Sequence, residues 1–123
     1  MFLKRASLAA LIILQSAYAT SAAEVGGRYR VKGTNFDGSP YSGTAEIKVT
    51  SNTTCSIVWQ TGGTTSKGIC MRADDNVFVA AYSMKSGSIG LVAYEIKDDG
   101  TLDGVWTMAG EDGAGKDVLT PIR

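Results

Sequence analysis

Glu46 and Glu95 stand in a repeated Glu-Ile-Lys triplet, at residues 46–48 and 95–97. A pair of carboxylates is the least that general acid–base work requires. Both fall on the polar side of strand-like runs, where a charged group is normally solvated. Asp98, Asp99 and Asp103 could offer oxygens to a hard cation. The alternating acidic spacing of a calcium loop is missing, however, and Asp98-Asp99-Gly100 is ordinary turn chemistry. The chain contains no histidine. That removes Ser-His-Asp and Cys-His catalysis, an imidazole base and every histidine metal ligand. Two cysteines without histidine fall short of a structural zinc site. We therefore expect no metal, no cofactor and no catalytic residues: a binding protein, not an enzyme.

Cys55 and Cys70 close a loop of 16 residues. Joined, they would stabilise the fold by about 3 kcal/mol on the chain-entropy account. The compartment is set by the N-terminus. Lys4 and Arg5 precede a nearly apolar stretch from Ala6 to Leu14, and small residues follow. This is the layout of a secretory signal peptide. It spans residues 1–23 with cleavage after Ala23, or ends earlier with cleavage after Ala19. An exported chain, periplasmic or secreted, meets the oxidising conditions in which a disulfide persists.

Residues 24–123 then form a single domain. The 12 basic and 12 acidic residues of the whole chain balance, which argues against a nucleic-acid partner. A domain of this size buries only about 60–68% of its unfolded surface, so a covalent staple has value.

The elements that must position these residues are strands. No 3.6-residue apolar period is sustained after residue 24, and short β-prone runs alternate with Gly, Asn, Asp and Ser. The runs are Arg28–Lys32, Gly43–Thr50, Thr54–Thr61, Thr64–Arg72, Val77–Tyr82, Ile89–Ile96, Leu102–Met108 and Lys116–Thr120. Gly62-Gly63 suits a type I′ turn. Folding the chain there pairs residues whose numbers sum to 125, which places Cys55 opposite Cys70. Gly43, Trp59 and Gly68 recur 47 residues later as Gly90, Trp106 and Gly115. Two four-strand halves follow, and with them an all-β fold: an eight-stranded antiparallel up-and-down barrel, with a β-sandwich as the alternative.

Trp59 and Trp106, with Tyr29, Tyr41, Tyr82 and Tyr94, are the candidate aromatics. Each indole is worth about 4–6 kcal/mol of burial at 25 cal/mol per Å². They could line a pocket or fill the core, and Gly68, Gly90 and Gly104 could make room for the indoles. Val77–Tyr82 and Ile89–Tyr94 lack a wet face. Phe78, Ala80, Leu91 and Ala93 are therefore candidates for an interface, either with a protein partner or with a second copy.

Gly33-Thr34-Asn35, Tyr41-Ser42-Gly43-Thr44, Val58-Trp59 with Gly62-Gly63, and Gly104-Val105-Trp106-Thr107 with Ala109-Gly110 together resemble a small exported alphaproteobacterial family. That family is often labelled fibronectin-binding protein or uncharacterised. The resemblance implies a protein- or surface-binding module. Asp99-Gly100-Thr101-Leu102-Asp103-Gly104 is similar to avidin-like barrels, and Gly27-Arg28-Tyr29 to the Gly-x-Trp of lipocalins. These imply a carrier of a small apolar ligand. A third alternative, a periplasmic inhibitor, rests on small disulfide-bearing barrels that inhibit lysozyme. Their Ser-Gly-x-x-Tyr loop is broken here, with Gly90 in place of the tyrosine after Ser86-Gly87.

Overall fold

The alternation of polar and apolar residues resolves into eight strands in a computed structural model, which describes residues 23–123. The leader expected over residues 1–23 lies, apart from Ala23, outside the described residues. The strands are β1 (Gly27–Thr34), β2 (Pro40–Val49), β3 (Cys55–Thr61), β4 (Thr64–Asp74), β5 (Val77–Met84), β6 (Ile89–Ile96), β7 (Leu102–Met108) and β8 (Gly115–Pro121). Each pairs antiparallel with the next, and β8 returns to pair with β1. The sheet is a closed up-and-down barrel, not a sandwich, and closure leaves no free edge.

The β3–β4 hairpin has the register that its turn and cysteines demand. Thr61 pairs with Thr64 and, at the far end, Cys55 with Cys70. Gly62 and Gly63 take φ of 55° and 80°, the two positive values of a type I′ turn. The cysteines are joined in a disulfide with their Cα atoms 5.0 Å apart. The 47-residue echo maps β2, β3 and β4 onto β6, β7 and β8, half a barrel away.

The two ends of the barrel differ. At the end holding the β2–β3, β4–β5 and β6–β7 turns, large side chains fill the interior. Tyr29, Ile47, Ile57, Phe78, Leu102 and Leu119 are fully buried there, beside the disulfide. Val25 packs against the buried core. Tyr29 is thus a core residue, and its hydroxyl donates to the Gly26 carbonyl at 3.2 Å.

The structure corrects half of the expected β5–β6 surface. Phe78 and Ala80 point inward and are buried; only Leu91 and Ala93 face out. Apolar residues on both faces of β5 gave no phase. The phase is set by Tyr82, which lies over Gly90 inside the barrel.

Candidate functional site

The other end, where the β1–β2, β3–β4, β5–β6 and β7–β8 turns gather, is hollow. A cavity of about 280 Å³ opens there. Its walls include Tyr41 of β2, Trp59 of β3, Tyr82 of β5, Tyr94 of β6 and Trp106 of β7, with Asn35, Gly62 and Met84 near the rim. Five of the six aromatics singled out in the sequence therefore come together. Trp59 and Tyr82 meet nearly edge to face, centroids 5.5 Å apart at 67°. Tyr41 and Trp106 do the same at 6.3 Å and 68°, and Phe36 covers Trp106 at 4.7 Å.

Asp117 of β8 lines the same cavity and was not anticipated from the sequence. It is 4% exposed and is the buried charged side chain among the described residues. Tyr41 Oη donates to its Oδ1 at 2.6 Å. Tyr94 Oη donates to Oδ2, and Trp59 Nε1 donates to Tyr94 Oη at 3.1 Å. The sequence did carry a signal. Gly115, Asp117 and Leu119 share one side of β8, so a carboxylate interrupts an inward-facing set.

Backbone register explains how two tyrosines from distant strands reach one acid. Across the sheet, Tyr94 pairs with Gly104, Gly104 with Asp117, Asp117 with Gly33, and Gly33 with Tyr41. The acid thus sits at the centre of a row whose next positions on either side are glycine. Each tyrosine ring lies over its glycine: a Cβ at Gly33 would fall 2.3 Å from Tyr41 Cζ, and one at Gly104 would fall 2.5 Å from Tyr94 Cδ1. Glycines under aromatic rings are a recurrent device of curved sheets. Here they serve tyrosines more than indoles. Gly90 admits Tyr82 and Gly115 admits Trp106, while Gly68 meets the Ala81 carbonyl. Tyr82 Oη continues past Gly90 to the Thr107 carbonyl at 2.9 Å.

Electrostatically, the cavity is an apolar cup with one acid. Burial raises the Asp117 pKa, against the lowering effect of its hydrogen bonds to Tyr41 and Tyr94. Burial and the nearby Asp117 charge raise the phenols: Tyr82 is pushed up to about 12, and Tyr41 and Tyr94 are held well above the ordinary tyrosine value. At neutral pH the hydroxyls are donors, so the acid is held by neutral groups alone.

The other candidate carboxylates stand elsewhere. Glu46 and Glu95 lie on the outer surface beside Lys48 and Lys97, at 3.9 and 3.1 Å. Asp98, Asp99 and Asp103 are exposed, and Asp99 Oδ1 accepts the Thr101 N–H within its turn.

No family model matches the chain, and no curated protein does. Solved structures do. A redesigned β-barrel, mFAP1, bound to DFHBI superposes with a TM-score of 0.69 at 18% identity, over 79% of this chain and 94% of the other. A second redesigned barrel, b11L5F_LGL, gives 0.71 at 17% identity, over 80% and 92%. A de novo designed fluorescence-activating β-barrel gives 0.66 at 14% identity, over 85% and 100%. At these identities the likeness establishes the fold.

Proposed function

We propose that this barrel is an exported binding protein that takes a small, largely apolar molecule into its open end and performs no chemistry on it. The observation that carries the reading is the asymmetry of the interior: one end packed solid, the other an aromatic-walled cavity of about 280 Å³. At about 30 Å³ per water that is room for about nine waters, or a ligand on the order of ten non-hydrogen atoms. The designed barrel bound to DFHBI supports the reading, since a barrel of this fold can hold a small molecule. The disulfide supports export.

The test is titration with a neutral aromatic probe, 2-naphthol, followed by tryptophan fluorescence. The two indoles of the chain both line the cavity. A saturable change is expected, and it should disappear in Ser66→Phe, which places a ring inside the mouth. Absence of a saturable response overturns the reading.

A second reading has its own observation, the outer face of β4–β7. Ile69, Ala81, Leu91 and Thr107 form one outward row, and Met71, Val79, Ala93 and Val105 the next. Ile69 and Leu91 are 59% and 61% exposed. A contiguous apolar face of this kind suits a second copy of the chain. Sedimentation at micromolar concentration should then show a dimer that Leu91→Lys dissociates; monomer throughout removes this reading.

A further inference from the structure

We propose that the cavity selects an organic cation, an ammonium or quaternary ammonium group on a small apolar body, held against Asp117 within the walls formed by Trp59, Tyr82, Tyr94 and Trp106. The inference rests on reading the cavity as a ligand site, and it adds the sign of the ligand's charge.

Three observations carry it. First, among the described residues the cavity lining contains one charged side chain, and that is an acid; no described lysine or arginine lines it. An anionic ligand would meet a buried carboxylate with nothing to offset it, whereas a cation would supply the missing countercharge. Second, the carboxylate has acceptor capacity to spare. A carboxylate offers about four lone-pair sites. Within the protein Oδ1 takes the Tyr41 hydroxyl and Oδ2 takes the Tyr94 hydroxyl. Third, the remaining wall is aromatic. The nearly perpendicular pairs Trp59–Tyr82 and Tyr41–Trp106 both line it. Ring faces attract cations, and quaternary ammonium groups in aromatic cages are the best-known use of that attraction. A hard metal ion is a poor alternative, because it needs about six to eight oxygen ligands and one carboxylate stands among rings.

Protonation should oppose such a ligand. The groups facing Asp117 are Tyr41 of β2, Trp59 of β3, Tyr82 of β5 and Tyr94 of β6, while its neighbours on β1 and β7 are Gly33 and Gly104. None of them titrates below the alkaline range. A cation must therefore displace the Asp117 proton wherever the acid is neutral, and its affinity rises with pH.

Matched probes test this in the intact protein. Benzyltrimethylammonium and its neutral isostere neopentylbenzene have the same shape and differ in charge; benzoate supplies the opposite sign. Affinities are read by tryptophan fluorescence and calorimetry at pH 5 and pH 8. At pH 8 the cation should bind about tenfold more tightly than the isostere, and benzoate should bind weakest. The cation should bind more weakly at pH 5 than at pH 8 while the isostere does not change. Asp117→Asn should bring cation and isostere together. If that variant does not fold, the pH comparison in the unaltered protein decides. Equal or tighter binding of the isostere at both pH values overturns the cation proposal and leaves the small-ligand reading standing. No binding of any probe overturns both.

Discussion

Tyr41 and Tyr94 approach one carboxylate from opposite sides, each lying over a glycine and each donating to its own oxygen of Asp117. Their sequence positions differ by 53 residues, yet both belong to the single cross-strand row that Asp117 centres. The glycines are the condition for this geometry, because any side chain at Gly33 or Gly104 would occupy the ring's place.

Gly33→Ala should therefore be felt in the packing and in the hydrogen bond together. The new methyl meets Tyr41 and, at 2.4 Å, the Lys116 carbonyl oxygen, which is backbone and cannot step aside. Overpacking of this kind costs about 1–3 kcal/mol. Tyr41→Phe alone, losing the hydroxyl's hydrogen bonds to Asp117 and to the Lys116 carbonyl, should cost about 1–3 kcal/mol. The double variant should cost less than the sum, because displacing the ring already weakens its bond. Denaturant unfolding of the four proteins checks this, and strict additivity contradicts it.

Asp117 should stabilise the barrel more in mild acid than at neutral pH. Burial raises its folded-state pKa above the unfolded value near 4. Its favourable contribution is then complete below that unfolded value and is lost as pH rises through the folded one. The melting temperature of the parent minus that of Asp117→Asn should fall from pH 4 to pH 8. The other acids cancel in the difference. A rise over the same interval would mean that the tyrosine hydroxyls outweigh burial.

The strands, the up-and-down order and the β3–β4 register were legible because each rests on local evidence: alternation, turn residues and one cysteine pair. The aromatics were legible as a set, but not their division. Tyr29 belongs to the packed end, while Tyr41, Tyr82 and Tyr94 belong to the open one, and that depends on where along each strand the barrel rim falls. The inward side of Phe78 is hidden in the sequence because β5 offers apolar residues on both faces, whereas Glu95, which must face out, phases β6. Asp117 is hard to read from the sequence because its partners lie 76 and 23 residues away, beyond any spacing rule. Its inward phase beside Gly115 and Leu119 was visible. So was a break in the internal echo, since the position 47 residues before Asp117 is Cys70.

Reducing the Cys55–Cys70 disulfide should destabilise the barrel without altering the cavity. The bridge lies at the packed end, and releasing its loop should cost about 2–4 kcal/mol. Thermal melts with and without reductant should show the loss. A probe that fills the open end should keep its affinity at temperatures where both forms are folded.

Alkali should find the cavity tyrosines late. Tyr82 is pushed up to about 12, and Tyr41 and Tyr94 are raised as well, so tyrosinate absorbance from these three should be slight at about pH 11. In denaturant they should ionise near pH 10. Because the neutral phenols are favoured in the fold, their contribution to stability is present below about pH 10 and declines as pH rises through the folded values. Tyr94→Phe should remove one of the late-titrating groups.

The row through Asp117 also crosses the line where β8 meets β1. Gly33 and Tyr41 belong to the first two strands of the barrel and Asp117 to the last, so the acid acquires its Tyr41 partner only when the circle is complete. A chain emerging from N- to C-terminus can form every hairpin up to β7 and still have no site. Occupancy of the cavity is therefore a report on closure, and a ligand that needs Asp117 acts as a clasp on the final strand.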